Sequence, residues 1–379
     1  MTQPHPDKAP RIIMLPSVSG GIGHISRAGA LARALQQIDP RVEIEFVLDC
    51  DRLRPFNIDA TMRMGFRPTL LPPRGRDNRD SIVRACLGGA DVIVDDVARY
   101  LLPYRQIVPE AAWISVLMHP IGDELFLDWP FMAQMDALIW PYADLVGLPA
   151  ELAPLQAKLH RTGPFLETAA VAAKPAARQE LGLAAGDEIV VYAPRGFPFG
   201  PDFGHRVLSG TFEAVSRLRA TRPNLKLHLL AVREEGELHA AGLPKTLPDW
   251  VAVEGVVTPA RSLLYASAAD VLLAEGTSTM HEGAALRTPL VLIPGPIQEA
   301  TVLARRLAEH GAATLLPIDQ VSADTMAAAF AAILDADATL PGRLDRAHGL
   351  ITGGGGAQAA AQLVLDLAAR RPSQLQAAD

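Results

Sequence analysis

Short apolar runs, bounded by glycine-rich or charged turns, alternate along the chain with stretches in which apolar residues recur every three to four positions. Arg11 to Pro16 (RIIMLP) reads as a buried strand, Ser19-Gly20-Gly21-Ile22-Gly23-His24 as a glycine-rich turn, and the segment to about Gln37 as a helix. Val42 to Leu48 (VEIEFVL, ending at Asp49), Ala90 to Val94 (ADVIV) and Trp113 to Leu117 (WISVL) read as further strands. Between about 145 and 187 the pattern pauses: Arg161-Thr162-Gly163-Pro164 is turn-like, Lys174-Pro175 is linker-like, and Arg178 to Leu183 (RQELGL) predicts a short helix. It restarts at Glu188 to Tyr192 (EIVVY), followed by a Gly- and Pro-rich loop from Ala193 to Gly204 and a helix to about Thr221. Leu225 to Val232, Val251 to Val253, Val271 to Ala274 and Leu290 to Ile293 supply more strands. Both halves begin with strand, Gly-rich loop and helix. Strands alternating with helices pair in parallel, so the expected fold class is α/β: two Rossmann-like, doubly wound domains facing each other across a cleft.

Composition narrows this only a little. A chain of 379 residues, 49% hydrophobic, is long enough for two cores. No apolar stretch approaches the roughly 20 residues that a membrane-crossing helix needs, and the polar, Pro-rich start (MTQPHPDKAP) has no signal-peptide core and reads as a disordered lead-in. Cys50 and Cys86 lack metal-ligand spacing, so a reducing cytoplasm is the expected location. A net charge of -7 argues against nucleic acid as the main partner.

The richest passage runs from Ala269 to Leu307 (ADVLLAEGTSTMHEGAALRTPLVLIPGPIQEATVLARRL). A strand ends in Glu275-Gly276-Thr277-Ser278-Thr279, and the helix that follows carries Glu282. Small and hydroxyl-bearing residues at a helix N-terminus suit a diphosphate, because backbone N–H groups and the positive end of the dipole converge there. A carboxylate one turn further on can accept hydrogen bonds from ribose hydroxyls. A purely local alternative is an N-cap, with Thr279-x-x-Glu282 forming a capping box.

The order strand, (E/S)G(T/S)ST, Glu-bearing helix, (G/T)xP, strand ending in Pro and Gln-containing loop resembles the C-terminal domain of glycosyltransferase family 28, which includes the MurG-type N-acetylglucosaminyltransferases and is related to the wider UDP-glycosyltransferases. Val253-Glu254-Gly255-Val256-Val257 resembles the segment whose backbone holds the uracil ring, RTGP…RQELGL the interdomain connection, and Gly353 to Ala361 (GGGGAQAAA) the entry to the last helix. The resemblance covers most of residues 185 to 370 and implies a GT-B fold. Its expected division is a lead-in at 1–10, an acceptor-binding domain at 11–165, a linker at 166–187, a nucleotide-sugar domain at 188–352, and a C-terminal helix at 353–371 packing back toward the N-domain. It also implies that Gly276, Thr277, Ser278 and Thr279 hold donor phosphates, Glu282 the ribose, Val257 the base through its backbone, and Gln298 and Glu299 the sugar hydroxyls. Two departures leave the donor sugar open. The usual Asn-Ala pair after the Gln is here Thr301-Val302-Leu303-Ala304, and the usual small loop after the domain's first strand is Pro194-Arg195-Gly196-Phe197-Pro198-Phe199-Gly200. Arg195 and Gly196 are candidates to face the departing diphosphate.

In the first half, Gly20-Gly21-Ile22-Gly23-His24 resembles the family's GGxGH loop. Gly21 and Gly23 would let an acceptor approach the backbone. His24, at the start of a helix, is the candidate general base, since an inverting transfer requires the acceptor hydroxyl to lose its proton during attack. Asp95 or Asp96 would orient it, as in a Ser-His-Asp arrangement. The same loop could serve an acceptor phosphate, and a histidine beside a glycine turn is often only a loop cap. His119 is a weaker cleft candidate. Gly21-x-Gly23-x-x-Ser26 with Asp49 nearly matches a dinucleotide fingerprint, but an oxidoreductase would leave the second half unexplained. Asp49-Cys50-Asp51 is a formal DxD outside the context that binds metal, so no metal is expected.

Six of the nine Trp and Tyr residues fall in 100–142: Tyr100, Tyr104, Trp113, Trp129, Trp140 and Tyr142. Aromatics with a polar handle suit an aglycone pocket or a membrane-interface patch, and any single one more often belongs to an ordinary core. Trp129, in Asp123 to Met135 (DELFLDWPFMAQM), is the acceptor candidate, and Arg74, Arg76 and Arg79 form a small basic loop that could meet anionic lipid or acceptor phosphate but reads first as a solvated loop. The expectation is therefore an inverting, metal-independent hexosyltransferase. It would take a nucleotide-sugar co-substrate, UDP-linked, and a small-molecule or lipid-linked acceptor, with no further cofactor. Peripheral membrane contact would run through the N-domain. The main rival is a nucleotide-sugar hydrolase or 2-epimerase.

Overall fold

The computed structural model of the chain describes residues 9–18, 22–73, 75–96, 102–117, 129–142, 144–167, 171–194, 201–230, 235–255, 257–335 and 338–375. They form two compact units, Met1–Leu166 with Gly353–Asp379, and Glu167–Thr352.

The first unit runs β1 (Arg11–Pro16), α1 (Gly23–Ile38), β2 (Glu43–Asp49), α2 (Pro55–Arg63), β3 (Thr69–Leu71), α3 (Arg79–Leu87), β4 (Val92–Asp96), α4 (Leu102–Ile107), β5 (Ala112–Val116), α5 (Trp129–Gln134), β6 (Ala137–Trp140) and β7 (Leu159–Arg161). Its seven strands are all parallel, in the order β3-β2-β1-β4-β5-β6-β7. The second unit runs α6 (Lys174–Leu181), β8 (Glu188–Ala193), α7 (Pro201–Leu218), β9 (Leu225–Leu230), α8 (Glu235–Ala240), β10 (Val251–Gly255), α9 (Pro259–Ala268), β11 (Val271–Ala274), α10 (Thr277–Ala285), β12 (Leu290–Leu292), α11 (Gln298–Glu309), β13 (Ala313–Leu315), α12 (Ala323–Leu334) and α13 (Leu340–Thr352). Its sheet is parallel too, in the order β10-β9-β8-β11-β12-β13. A last helix, α14 (Gly356–Leu375), belongs to the first unit.

The central strands explain why apolar runs marked them so clearly. β4, β5 and β11 are buried at every position, and β1 and β8 at all but the first. Helices cover both faces of a parallel sheet, so its strands read as continuous hydrophobic runs. The strands that periodicity did not reveal are β3, β6, β7 and β13, each only three or four residues long.

The two units have separate cores. In the first, Ala357, Ala360, Ala361 and Val364 of α14 join Ala28, Leu31, Ala32 and Leu35 of α1 in one cluster. The four glycines at the entry to α14, Gly353 to Gly356, make that return possible. A Cβ at Gly354 would sit 2.5 Å from the Thr162 carbonyl oxygen, and Gly355 and Gly356 adopt positive φ of 77° and 52°. The Gly356 amide then donates to Thr162 O at 2.6 Å. Side chains would block this approach, and the left-handed backbone favours glycine. Among the described residues no helix is long and apolar enough to cross a membrane.

In each sheet the chain winds outward from one strand and then resumes on that strand's other side, between β1 and β4 in the first unit and between β8 and β11 in the second. Such switch points open a crevice at the carboxyl ends of the strands, where ligands bind in open α/β sheets.

Candidate functional site

At the first switch point, Ser17 N donates to Asp96 O at 2.9 Å, extending the β1–β4 pairing past the end of β1. Gly23 and His24 then open α1, with Ile22 as an N-cap that makes no side-chain cap hydrogen bond. One helical turn places Arg27 on the same side as His24. The Arg27 guanidinium grips Asp96 with two bonds, Nε to Oδ2 at 2.9 Å and Nη2 to Oδ1 at 2.8 Å, and Nη2 also lies 2.9 Å from His24 Nδ1. His24 Nδ1 is 3.5 Å from Asp96 Oδ1. Burial alone would raise the Asp96 carboxyl, but the charge of Arg27 and contact with His24 outweigh it and hold the group below the ordinary carboxylate range. Asp95, the alternative partner for His24, accepts instead from Ser115 Oγ at 3.0 Å. Arg27 went unassigned in the sequence although it follows the GGxGH pattern, because an arginine one turn into a helix is ordinarily a solvated surface residue.

Asp49, the ribose candidate of the dinucleotide pattern, is already engaged. Its carboxylate accepts from Asp51 N at 2.9 Å and from Arg79 Nη2 at 3.0 Å, and Arg79 also bonds the Tyr104 hydroxyl. Arg79 is therefore buried, contrary to its expected place in a solvated loop, whereas Arg76 is exposed. The aromatic stretch resolves in the same direction. Tyr104, Trp113, Trp140 and Tyr142 are core residues, each at most 5% exposed. Among the described residues no three His, Cys, Asp or Glu side chains converge as a metal-ligand set.

At the second switch point, β11 ends at Ala274, Glu275 is buried, and Gly276 is the N-cap of α10 in an extended conformation without a side-chain cap. Thr277, Ser278 and Thr279 therefore form the first turn, and the expected alternative of a Thr279 N-cap with Glu282 as capping-box partner does not occur. Ser278 is exposed. The Tyr192 hydroxyl, at the end of β8, donates to Glu275 Oε1, and burial together with that carboxylate pushes the phenol well above its usual range. Glu282 is half-buried, and its carboxyl is pushed up to about 7, first by desolvation and then by the like charge of Glu167.

At the edge of the same sheet, β10 ends in a register irregularity at Val253/Gly255, where Gly255 takes a φ of 64°. Val257 is half-buried in the loop that follows, and Thr258 caps α9. Glu254 is held by His228 Nδ1 at 2.9 Å. Although burial opposes it, contact with Tyr265 and His228 keeps this carboxyl low, and burial with the Glu254 contact pushes the Tyr265 phenol up to about 12. Gln298 opens α11 half-buried, while Glu299 is buried at 3% exposure. A residue so enclosed has little surface to offer a sugar. Trp129 opens α5. Gly21, His119, Arg195 and Gly196 lie outside the described residues, as do Tyr100 and Arg74.

No protein-family model and no curated protein matches the sequence. Solved structures do match, over nearly the whole chain. The spinosyn forosaminyltransferase SpnP is 14% identical over 96% of this chain and 100% of its own, with a TM-score of 0.67. A Listeria monocytogenes protein assigned as a UDP-N-acetylglucosamine 2-epimerase is 12% identical over 95% of this chain and 96% of its own, with a TM-score of 0.66. MurG of Acinetobacter baumannii is 12% identical over 94% of this chain and 99% of its own, with a TM-score of 0.60. The two parallel α/β units have the GT-B fold. At these identities the likeness establishes architecture.

Proposed function

We propose that the protein is a glycosyltransferase that moves a sugar from a nucleotide-sugar, UDP-linked, to a hydroxyl of an acceptor with inversion at the anomeric carbon. The observation that carries this is the start of α10, where a helix lacking a side-chain cap presents three hydroxyl residues at the carboxyl end of β11, with the Glu282 carboxyl a turn further along. The helix dipole and the amides of its first turn favour a diphosphate, and Glu282 is placed to accept from ribose hydroxyls. Val257 would meet the base through its backbone and Gln298 the sugar. Glu299, buried next to Gln298 in the first turn of α11, is the second candidate for the sugar hydroxyls. Glycosyltransferases, MurG and the spinosyn enzyme among them, share the fold.

In the first unit His24 would take the proton of the acceptor hydroxyl as its oxygen attacks the anomeric carbon, and the nucleoside diphosphate would be the leaving group. Asp96 stabilises the imidazolium that forms, with Asp95 behind it on Ser115. Gly21, Gly23, His119 and Trp129 remain acceptor-side candidates, and Arg195 and Gly196 remain candidates on the leaving group. No metal ligand set is invoked, because hydrogen bonds and positive charge serve the leaving diphosphate. The expected setting is the cytoplasm, with a small or lipid-linked acceptor, and contact with a membrane surface would run through the first unit.

One finding favours a nucleotide-sugar hydrolase or 2-epimerase: a structure assigned as such an epimerase matches with a TM-score of 0.66. A thermal-shift screen of UDP, GDP, TDP and NAD should show the largest stabilisation with UDP. Absence of a shift with every uridine nucleotide would overturn the donor assignment. Incubation of UDP-sugars without acceptor should leave them intact, and rapid release of free sugar or an epimer would replace transfer with the rival chemistry.

A further inference from the structure

The bonds around His24 dictate which ring nitrogen carries the proton. A guanidinium has only N–H donors and keeps its charge in proteins. The 2.9 Å contact between Arg27 Nη2 and His24 Nδ1 is therefore a bond in which Nδ1 accepts. A neutral imidazole that accepts at Nδ1 holds its hydrogen at Nε2. In that form Nε2 is a donor and cannot receive a proton from an acceptor hydroxyl. The His–carboxylate arrangement that makes a base is the reverse, with Nδ1–H donating to the carboxylate and Nε2 bare. Asp96 Oδ1 is close to that geometry, 3.5 Å from Nδ1, but Arg27 holds both Asp96 oxygens and covers Nδ1 as well.

The two states exclude each other. If Nδ1 carried a hydrogen, it would meet the Nη2–H of Arg27 head-on at 2.9 Å. Asp96 Oδ1 need not be vacated, since a carboxylate oxygen has two acceptor sites and can serve Arg27 and His24 together. The exchange requires only that Arg27 Nη2 and Nδ1 separate while Nδ1 closes a few tenths of an ångström on Oδ1. In that exchange Nε2 releases one proton to water and Nδ1 takes one up, so the ring's charge is unchanged.

We propose that Arg27 is a positioning residue that latches His24 in the Nε2–H tautomer, and that release of this contact converts the ring into a base paired with Asp96. The latch deepens the transfer mechanism proposed above and rests on His24 as its base, but its first test does not depend on activity. Nitrogen-15 correlation spectra of histidine-labelled protein, read at the alkaline limit where the ring is neutral, should show His24 protonated at Nε2. Arg27→Met removes the donor and should invert the signal to Nδ1–H, facing Asp96. A wild-type ring protonated at Nδ1 would overturn the latch, and so would an unchanged tautomer in a folded Arg27→Met protein. Should Arg27→Met fail to fold, the wild-type spectrum decides alone, Nε2–H sustaining the latch and Nδ1–H overturning it. The activity arm separates the two claims. An inverting tautomer in Arg27→Met combined with unaltered nucleotide-sugar turnover in His24→Ala would sustain the latch and remove the base.

Discussion

The two switch points are built on the same winding rule and hold opposite chemistry. In the first unit, the crevice contains a full complement of charge: Arg27 on Asp96, His24 against both, all within one turn of α1 and the end of β4. In the second, the corresponding crevice holds Tyr192 on Glu275 and a helix start dressed with hydroxyls. A site whose cation and carboxylate already satisfy each other is suited to placing protons. A helix start without a side-chain cap, lined with hydroxyl side chains, is suited to receiving an anion. On the proposed function, one fold used twice would divide proton handling from phosphate binding by what stands at the carboxyl ends of its strands.

The sharpest way to break this comparison is His24→Ala. Loss of a positioned base should lower turnover roughly 10²- to 10⁴-fold while leaving UDP affinity by calorimetry unchanged. A parallel fall in affinity would mean that the two crevices are not separable in this way.

Next in size is a paired substitution that probes how each key helix is seated. A Cβ at Gly283 of α10 would lie 2.6 Å from Leu290 Cδ2 and 2.9 Å from Leu272 Cδ2, so Gly283→Ala should cost about 1–3 kcal/mol in denaturant unfolding. A Cβ at Gly29 of α1 would meet Met64 Sδ at 2.5 Å, at the far end of a flexible side chain, and Gly29→Ala should come out near neutral because alanine favours the helix by about 1 kcal/mol. Equal costs would show that the two helices are seated alike.

Glu282 then tests the second crevice by pH. A carboxyl at about 7 in the native state, against an ordinary value of 4.5, makes the native chain bind the proton more tightly than the unfolded one. Its contribution is fullest below about pH 4.5 and is lost as pH rises toward 7. Glu282→Gln should abolish that loss, so the variant should gain about 1–2 kcal/mol on wild type between pH 5 and pH 8, read by thermal unfolding. A constant difference across that range would remove Glu282 as the titrating group.

Smallest is Ser278→Asp. An acid in the first turn of α10 should raise the stability of the free protein by about 0.3–1 kcal/mol through the dipole, while weakening UDP by repelling its phosphates. A variant that gains stability and keeps its UDP affinity would place the diphosphate elsewhere.

Much of this was legible in the chain. The buried central strands announced themselves as RIIMLP, EIVVY and ADVLLA, since burial on both faces removes any need for alternation. The glycine turn before His24 and the hydroxyl cluster after β11 were visible because backbone approach and helix starts demand particular residue types. The short edge strands β7 and β13 were not, being three residues each and only partly buried. The aromatic cluster at 100–142 admitted both a ligand surface and, for any single residue, an ordinary core. Four of its members are core, because aromatic side chains fill a sheet's interior as readily as they line a pocket.

By itself, then, the sequence determined the α/β winding and where along the chain each crevice would fall, because local periodicity and turn chemistry carry that information. Only the tertiary structure decided which charges meet. It took Arg79 out of a solvated loop and set it on Asp49, capped α10 with Gly276 rather than a hydroxyl, and bonded Arg27, beside His24, to Asp96, 69 positions further along the chain. Contacts across that separation depend on strand order and on the direction of each side chain, and neither is written in the spacing of residues along the chain.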